Sequence, residues 1–214
     1  MGTGNTGKSR NDTAFRDSES AKGELLRAAK KLFARRGLSG TTIRDIANEA
    51  GTNSSQISYY FEGKEGLYTA CLQDIAQKRL SFAEQILTPP NSREEFEIRT
   101  RLFVENLMNH FLEDHDAGLI IIREFDRSNS PAEGVFRENF VNLLNLIQRF
   151  FDEAIQKEFI SKQRDPYILM SLFFGTIMNE LRFDHLKQDI FSRSIREPEE
   201  RKKIIDHIVE LFTI

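Results

Sequence analysis

Thr41 to Leu67 reads TTIRDIANEAGTNSSQISYYFEGKEGL, and the reading of this stretch decides the fold. Thr42 stands three residues before Asp45, the spacing of a capping box at a helix start. Ile43, Ile46, Ala47 and Ala50 recur at helical spacing and form one apolar face. Gly51 stops that helix, because the residue past a C-terminus often takes positive φ. Ser54 is placed to cap a second, short helix. Ile57 and Phe61 turn inward from it; Ser55, Gln56, Ser58, Tyr59 and Tyr60 remain for its other faces. Phe61-Glu62-Gly63-Lys64 breaks the helix, and Lys64 opens another. A helix, a tight turn and a second helix with a polar face describe a helix-turn-helix. The pattern also fits an ordinary corner between packed helices. The second helix is only about two turns long and gains little from burial, which favours contact with a partner for its surface residues.

Glu24 to Tyr68 resembles the DNA-binding domain of TetR-type transcriptional regulators. The resemblance rests on LLRAAKKLFARRG from Leu25, TTIRDIANEAG from Thr41, Tyr59-Tyr60-Phe61, and Lys64-Glu65-Gly66-Leu67. It covers about a fifth of the chain, and several spaced elements agree at once. One departure is Ser58, where many members carry a tyrosine. The resemblance implies that Thr42, Arg44, Ser54 to Gln56, Ser58 to Tyr60 and Lys64 meet DNA. It also implies a small-molecule cavity among the later helices, whose occupation shifts the heads and releases DNA. Its last implication is a homodimer, formed by the last two long helices in a four-helix bundle.

Elementary chemistry supplies a role for each DNA candidate. Helix N-termini attract phosphate, so Thr42 and Ser54 offer both a hydroxyl and a helix end. Arg44 reaches for a phosphate or a base edge. The amide of Gln56 matches adenine N6 and N7. Ser55 and Ser58 are short hydrogen-bonding side chains. Tyr59 and Tyr60 present a hydroxyl to phosphate and a ring to thymine methyls. Lys64 supplies charge, and Lys22 is the phosphate contact expected from the first helix.

The chain has 214 residues, 39% of them hydrophobic and 29% charged, as in a globular protein. The net charge of -3 hides an asymmetry. Residues 1–66 carry eleven Lys/Arg against eight Asp/Glu, a net of +3 that leaves -6 on the remainder. A basic end on an acidic body is the footprint of a protein that touches nucleic acid at one end. Cys71 is the single cysteine, so no internal disulfide forms. No stretch resembles a signal peptide or a membrane span, so the expected location is cytoplasmic, with no membrane partner.

An all-α fold of about nine helices follows from the periodicity, with no β alternation. Residues 1–20 are polar and expected to be a disordered tail, 21–67 the helix-turn-helix domain, and 68–214 the ligand-binding and dimerisation domain. The fourth helix, from Lys64 to about Leu87, links the two domains, so movement of this rod repositions the head. Pro89-Pro90 ends it. A fifth helix runs to about Glu113 and a sixth covers about 117–127, apolar nearly all round. A seventh starts at Pro131, an eighth covers about Pro166 to His185, and a ninth starts at Pro198.

The eighth and ninth helices carry more apolar surface than one partner needs. Phe173, Phe174, Ile177, Leu181, Ile205, Ile208 and Phe212 are the expected dimer contacts. A symmetric dimer fits a palindromic operator in double-stranded DNA. Isolated polar residues mark the ligand candidates: Asn106 and His110, Arg123, Asn179 and Arg182. Each also fits a satisfied buried group or a salt bridge. The 18 phenylalanines suit an apolar or aromatic effector, and equally an ordinary core.

Gly2 to Ser9, GTGNTGKS, matches a phosphate-loop pattern. That loop must follow a strand and open a helix, and no strand pattern precedes it. His110, Glu113, Asp114 and His115 do not repeat their spacing on another helix, so no metal site is built. No catalytic constellation, cofactor or metal is expected. The reading is therefore a DNA-binding regulator, a repressor released by an effector. Its rivals are a regulator controlled by a protein partner, an NTPase using Gly2 to Ser9, and a helical adaptor.

Overall fold

The structure is a computed structural model and describes residues 7–125, 127 and 129–213, with side-chain surroundings from Ser20 onward. Among the described residues the chain is all helix and loop. The helices are α1 (Gly7–Arg36), α2 (Ile43–Glu49), α3 (Ser54–Phe61), α4 (Lys64–Ile86) and α5 (Arg93–Glu113). They continue with α6 (His115–Phe125), α7 (Glu133–Gln156), α8 (Pro166–Phe191) and α9 (Pro198–Thr213). The expected tail falls partly on residues 1–6, outside the described residues, as does most of Gly2 to Ser9. From Gly7 the backbone is helical, because α1 propagates upstream at one hydrogen bond per added residue.

The chain divides into two compact units. The first runs to Asp74 and takes in Leu119–Glu133; the second comprises Ile75–Gly118 and Gly134–Ile214. In the first unit α1 turns Leu25, Ala29, Leu32 and Phe33 inward, α2 Ile46 and Ala47, α3 Ile57 and Phe61, and α4 Leu67, Tyr68 and Leu72. Phe33 and Tyr68 meet edge to face, with ring centroids 5.0 Å apart.

The capping box at α2 is present. The Asp45 amide donates to Thr42 Oγ1 at 3.1 Å, and the Thr42 amide to Asp45 Oδ2 at 3.0 Å. Gly51 has φ +64°, the left-handed conformation that ends α2. At α3 the cap is Asn53, one residue before the expected Ser54. Asn53 has the extended backbone a cap requires, and its Oδ1 accepts from the Ser55 amide at 3.2 Å. Ser54 is the first helical residue. Glu62 then closes α3 in the left-handed region, with φ +60°.

In the second unit a phenylalanine cluster fills the core. Phe151 lies edge to face with Phe173 at 5.3 Å, and Phe173 with Phe212 at 5.1 Å. Phe96 packs on Phe150 at 5.1 Å. The dimer expectation needs correction on this point. Phe173, Ile177, Leu181, Ile205, Ile208 and Phe212 are all buried inside their own chain, and Phe174 is half-buried against Phe140. Helix α8 also runs six residues past His185 and has a second apolar face. Ile168, Leu172, Phe183, Leu186 and Ile190 share that face and are exposed. Periodicity finds both stripes and cannot tell which one the chain covers itself.

Gly66 sits where the first turn of α4 meets the end of α3. A Cβ there would lie 1.8 Å from the Phe61 carbonyl oxygen, so the backbone itself must give way. Gly66→Ala is expected to destabilise the protein by about 1–3 kcal/mol, as overpacking does. Urea unfolding of the purified variant measures this, and an unchanged midpoint refutes the close approach.

Candidate nucleic-acid interface

The structure brings the DNA candidates of α2 and α3 to exposed positions in the first unit. Thr42, Arg44, Ser54, Ser55, Ser58 and Tyr59 are exposed, and Tyr59 has 81% of its surface free. Tyr60 is half-buried, and its ring lies 4.9 Å from that of Tyr59, edge to face. An 81% exposed tyrosine on a two-turn helix contributes nothing to the core.

Gln56 is half-buried, and its amide oxygen accepts a hydrogen bond from Thr52 Oγ1. Thr52 thereby fixes the direction of the amide, and sequence reasoning missed it. The signal was its position four residues earlier, within reach across the turn. Fixing the rotamer lowers the entropy that any contact to the amide would cost.

The two lysine candidates differ in their surroundings. Lys64 is not a free phosphate contact: Nζ donates to Leu38 O at 3.0 Å and to Thr41 O at 2.9 Å. It ties the start of α4 to the loop that opens α2. Lys22 is exposed, with Nζ 5.8 Å from the centre of the Phe61 ring, over the end of α3. Asp45 is held below the ordinary carboxylate range by hydrogen bonds from the side chain and amide of Thr42. It stays ionised as a cap.

The segment 119–133 is bound into the first unit by polar contacts. Arg123 Nη1 donates to Phe33 O at 2.9 Å and also to Ala34 O, closing the C-terminal end of α1. Glu124 is 3% exposed; its carboxylate accepts from Tyr68 Oη at 2.6 Å. Arg127 Nη1 lies 3.7 Å from that carboxylate, and its guanidinium 5.6 Å from the centre of the Tyr68 ring. Burial, with the Glu124 carboxylate beside it, pushes the Tyr68 hydroxyl far above its ordinary pKa. Tyr68 therefore stays a donor, and Glu124 accepts from it. A latch of three side chains thus ties α6 to α4.

Arg123 falls in the first unit and the other four ligand candidates in the second. Arg123 serves α1. His110 is exposed, with Nδ1 3.1 Å from Asn106 O on its own helix, and its ring 5.9 Å from that of Phe82. Asn179 Oδ1 accepts from Lys187 Nζ at 3.0 Å, and Arg182 lies exposed over Phe183. A cavity of ≈ 400 Å³ opens instead at the elbow of α8 and α9, lined by Asp184, Phe191 and Ile204 among others. Its charges satisfy one another. Lys187 pairs with Glu180 at 2.6 Å, Arg193 with Glu200, and Asp184 accepts from Ser194 and the Ile195 amide. No group of three or more His, Cys, Asp or Glu among the described residues could hold a metal. Cys71 is 2% exposed, and burial raises its thiol to about 12, so it remains a neutral packing residue.

Lys64→Met tests the tie. The variant is expected to lose about 1.5–3 kcal/mol of stability, the range for hydrogen bonds to a charged group. A thermal melt measures it; an unchanged melting point means that the ammonium serves elsewhere.

Comparison with known proteins follows the same division. The profile of the family described as bacterial regulatory proteins, tetR family, matches residues 25–71. The transcriptional dual regulator CecR of Shigella flexneri is 50% identical over 58 residues, 27% of this chain and 26% of that protein. The transcriptional repressor KstR2 of Mycolicibacterium smegmatis is 38% identical over 73 residues, 34% of this chain and 36% of that one. These matches span about a quarter to a third of the relatives' own length. FadR of Bacillus subtilis, solved in complex with stearoyl-CoA, superposes with a TM-score of 0.73 over 89% of this chain and 96% of its own, at 18% identity. That identity establishes a shared fold.

Proposed function

From a head that belongs to the TetR family of bacterial regulators, we propose that this chain is a homodimeric, sequence-specific transcription regulator. It acts as a repressor, released by a small-molecule effector held in the second unit. It works in the cytoplasm and by binding alone, without catalysis or cofactor. Residues 21–67 form the reading head, and 68–214 serve effector binding and dimerisation.

The observation that carries this reading is the surface of α3. The helix buries Ile57 and Phe61 and leaves Ser54, Ser55, Ser58 and Tyr59 exposed beside a Gln56 amide aimed by Thr52. That surface enters the major groove. Gln56 reads adenine, and Thr42, Arg44 and Tyr59 meet phosphates and fix the register. The effector is apolar or aromatic. The stearoyl-CoA bound by the FadR relative, whose fold this chain shares, supports an apolar effector. The Glu124–Tyr68–Arg127 latch and the Arg123 cap carry the signal, since α6 cannot move without disturbing the C-terminal end of α1.

Selection of binding sites from random duplex DNA tests the head. The expected result is a palindrome, with Gln56→Ala losing discrimination at one base position per half-site by about 1–3 kcal/mol. A folded protein that enriches no site at low salt refutes the reading.

The outer face of α8 supports the dimer. Ile168, Leu172, Leu186 and Ile190 are each between 43% and 67% exposed along one side of a helix of 26 residues. Leu172→Glu is expected to give a folded monomer that binds operator at least about tenfold more weakly, because palindrome binding needs both heads. Sedimentation velocity reads the mass, and a dimer that survives this change excludes the face.

A further inference from the structure

The outer stripe of α8 reads the same in both directions. From Ile168 to Ile190 its members follow at steps of four, three, four, four, three and four residues, with Asn179 in the middle. Such steps keep side chains on one side of a helix. Counted outward from Asn179, the residue types match as well. Ile168 and Ile190 lie eleven residues away on either side, and Leu172 and Leu186 seven. The innermost pair is complementary: Gly175 and Phe183, four residues away, are the smallest and the largest members of the stripe. Phe183 is 38% exposed, and a Cβ on Gly175 would meet nothing within 4 Å. Asn179 is exposed between them.

When two copies of a helix meet antiparallel about a two-fold axis, a residue before the axis faces the residue equally far after it on the other copy. An axis at Asn179 sets isoleucine on isoleucine and leucine on leucine. It also seats each Phe183 ring on the bare backbone of Gly175. A parallel pair would instead crowd Phe183 against Phe183 and leave a gap at Gly175. The cations beside the stripe, Arg182 and Lys187, face Thr176 and Ser171 in the antiparallel pair, so no like charges meet there. We infer that two copies of this chain dock α8 on α8 antiparallel, with the two-fold axis at Asn179, and that a hydrogen bond between the two Asn179 amides selects this register. The inference rests on the proposed dimer, and adds its geometry and the residue that specifies it. Asn179 Oδ1 accepts from Lys187 Nζ at 3.0 Å, and Glu180 compensates that ammonium at 2.6 Å. An amide oxygen has two lone pairs, so it accepts Nδ2 of the second Asn179 as well. A slip by one turn would press each amide on an apolar side chain and leave it out of water without that partner.

Cysteine variants of the full-length protein, oxidised with copper phenanthroline, test the register. Positions 172 of the two copies would lie about 21 Å apart along the helix, at 1.5 Å per residue. A disulfide needs Cα atoms within about 7 Å. Leu172→Cys and Leu186→Cys are each expected to stay uncrosslinked, and the double variant to run as a covalent dimer on a non-reducing gel. Cys71 is 2% exposed, and oxidised wild type is the control for it. Crosslinking of either single variant, or none of the double variant, overturns the register. Adding Asn179→Leu to the double variant is expected to keep the dimer and lose most of the crosslink, because an apolar centre permits slip. An unchanged crosslink overturns the role of Asn179.

A second test needs no cysteine. Residues 175 and 183 stand about 12 Å apart along one helix and do not touch within a chain. Gly175→Leu and Phe183→Ala are each expected to weaken the dimer. Together they are expected to weaken it at least about threefold less than the product of the single effects, as groups in contact do. Independent effects overturn the Phe183 seat. Sedimentation velocity on the wild type keeps the two readings apart. A wild-type monomer removes the proposed dimer itself; a dimer that fails the cysteine and coupling tests loses only this geometry.

Discussion

Helix α3 is eight residues long and buries two side chains, Ile57 and Phe61. A helix below about 12–15 residues is marginal by itself in water. Its position is therefore imposed from outside, and the surrounding structure supplies the constraint. Asn53 caps its start and Glu62 closes its end in a left-handed turn. Gly66 lets α4 begin against the Phe61 carbonyl. Lys64 ties that beginning to Leu38 and Thr41, the loop from which α2 starts. The exposed face of α3 is left free of structural duty because its neighbours carry all of it.

How much of this was legible depended on sequence distance. The Thr42–Asp45 box and the Gly51 stop are local, and both read correctly. The α3 cap slipped by one because Thr52, Asn53, Ser54 and Ser55 are all cap formers, and only backbone conformation selects Asn53. Lys22 and Lys64 look alike in a sequence. Their roles diverge because the acceptors of Lys64 are carbonyls 23 and 26 residues away. Arg123 was read as an isolated polar group in an apolar helix, hence a ligand candidate. Its acceptors lie about ninety residues upstream, and such partners leave no periodic signal.

Among the described residues the two buried carboxylates each have partners that explain them. Glu124 is almost wholly buried, yet Tyr68 and Arg127 compensate it, and its network accounts for its presence. Asp184 is buried and satisfied by Ser194 and the Ile195 amide, which explains the tight elbow after α8.

Helix α8 poses the complementary question, of apolar groups outside. Its inner stripe, from Leu169 through Phe173 and Ile177 to Leu181, is consumed by the phenylalanine core. The outer stripe has the same periodicity and is left exposed by the described residues. It also contains Gly175, exposed, with nothing within 4 Å of where a Cβ would stand. Glycine inside a helix costs about 0.5–1 kcal/mol relative to alanine. Nothing among the described residues uses the freedom gained here, since φ is ordinary and no neighbour crowds the site. A glycine midway along an exposed apolar stripe does suit the close approach of a second helix. In a symmetric pair each copy presents the same gap to the other. The proposed dimer thus accounts for both the surplus apolar surface and the missing side chain at its centre.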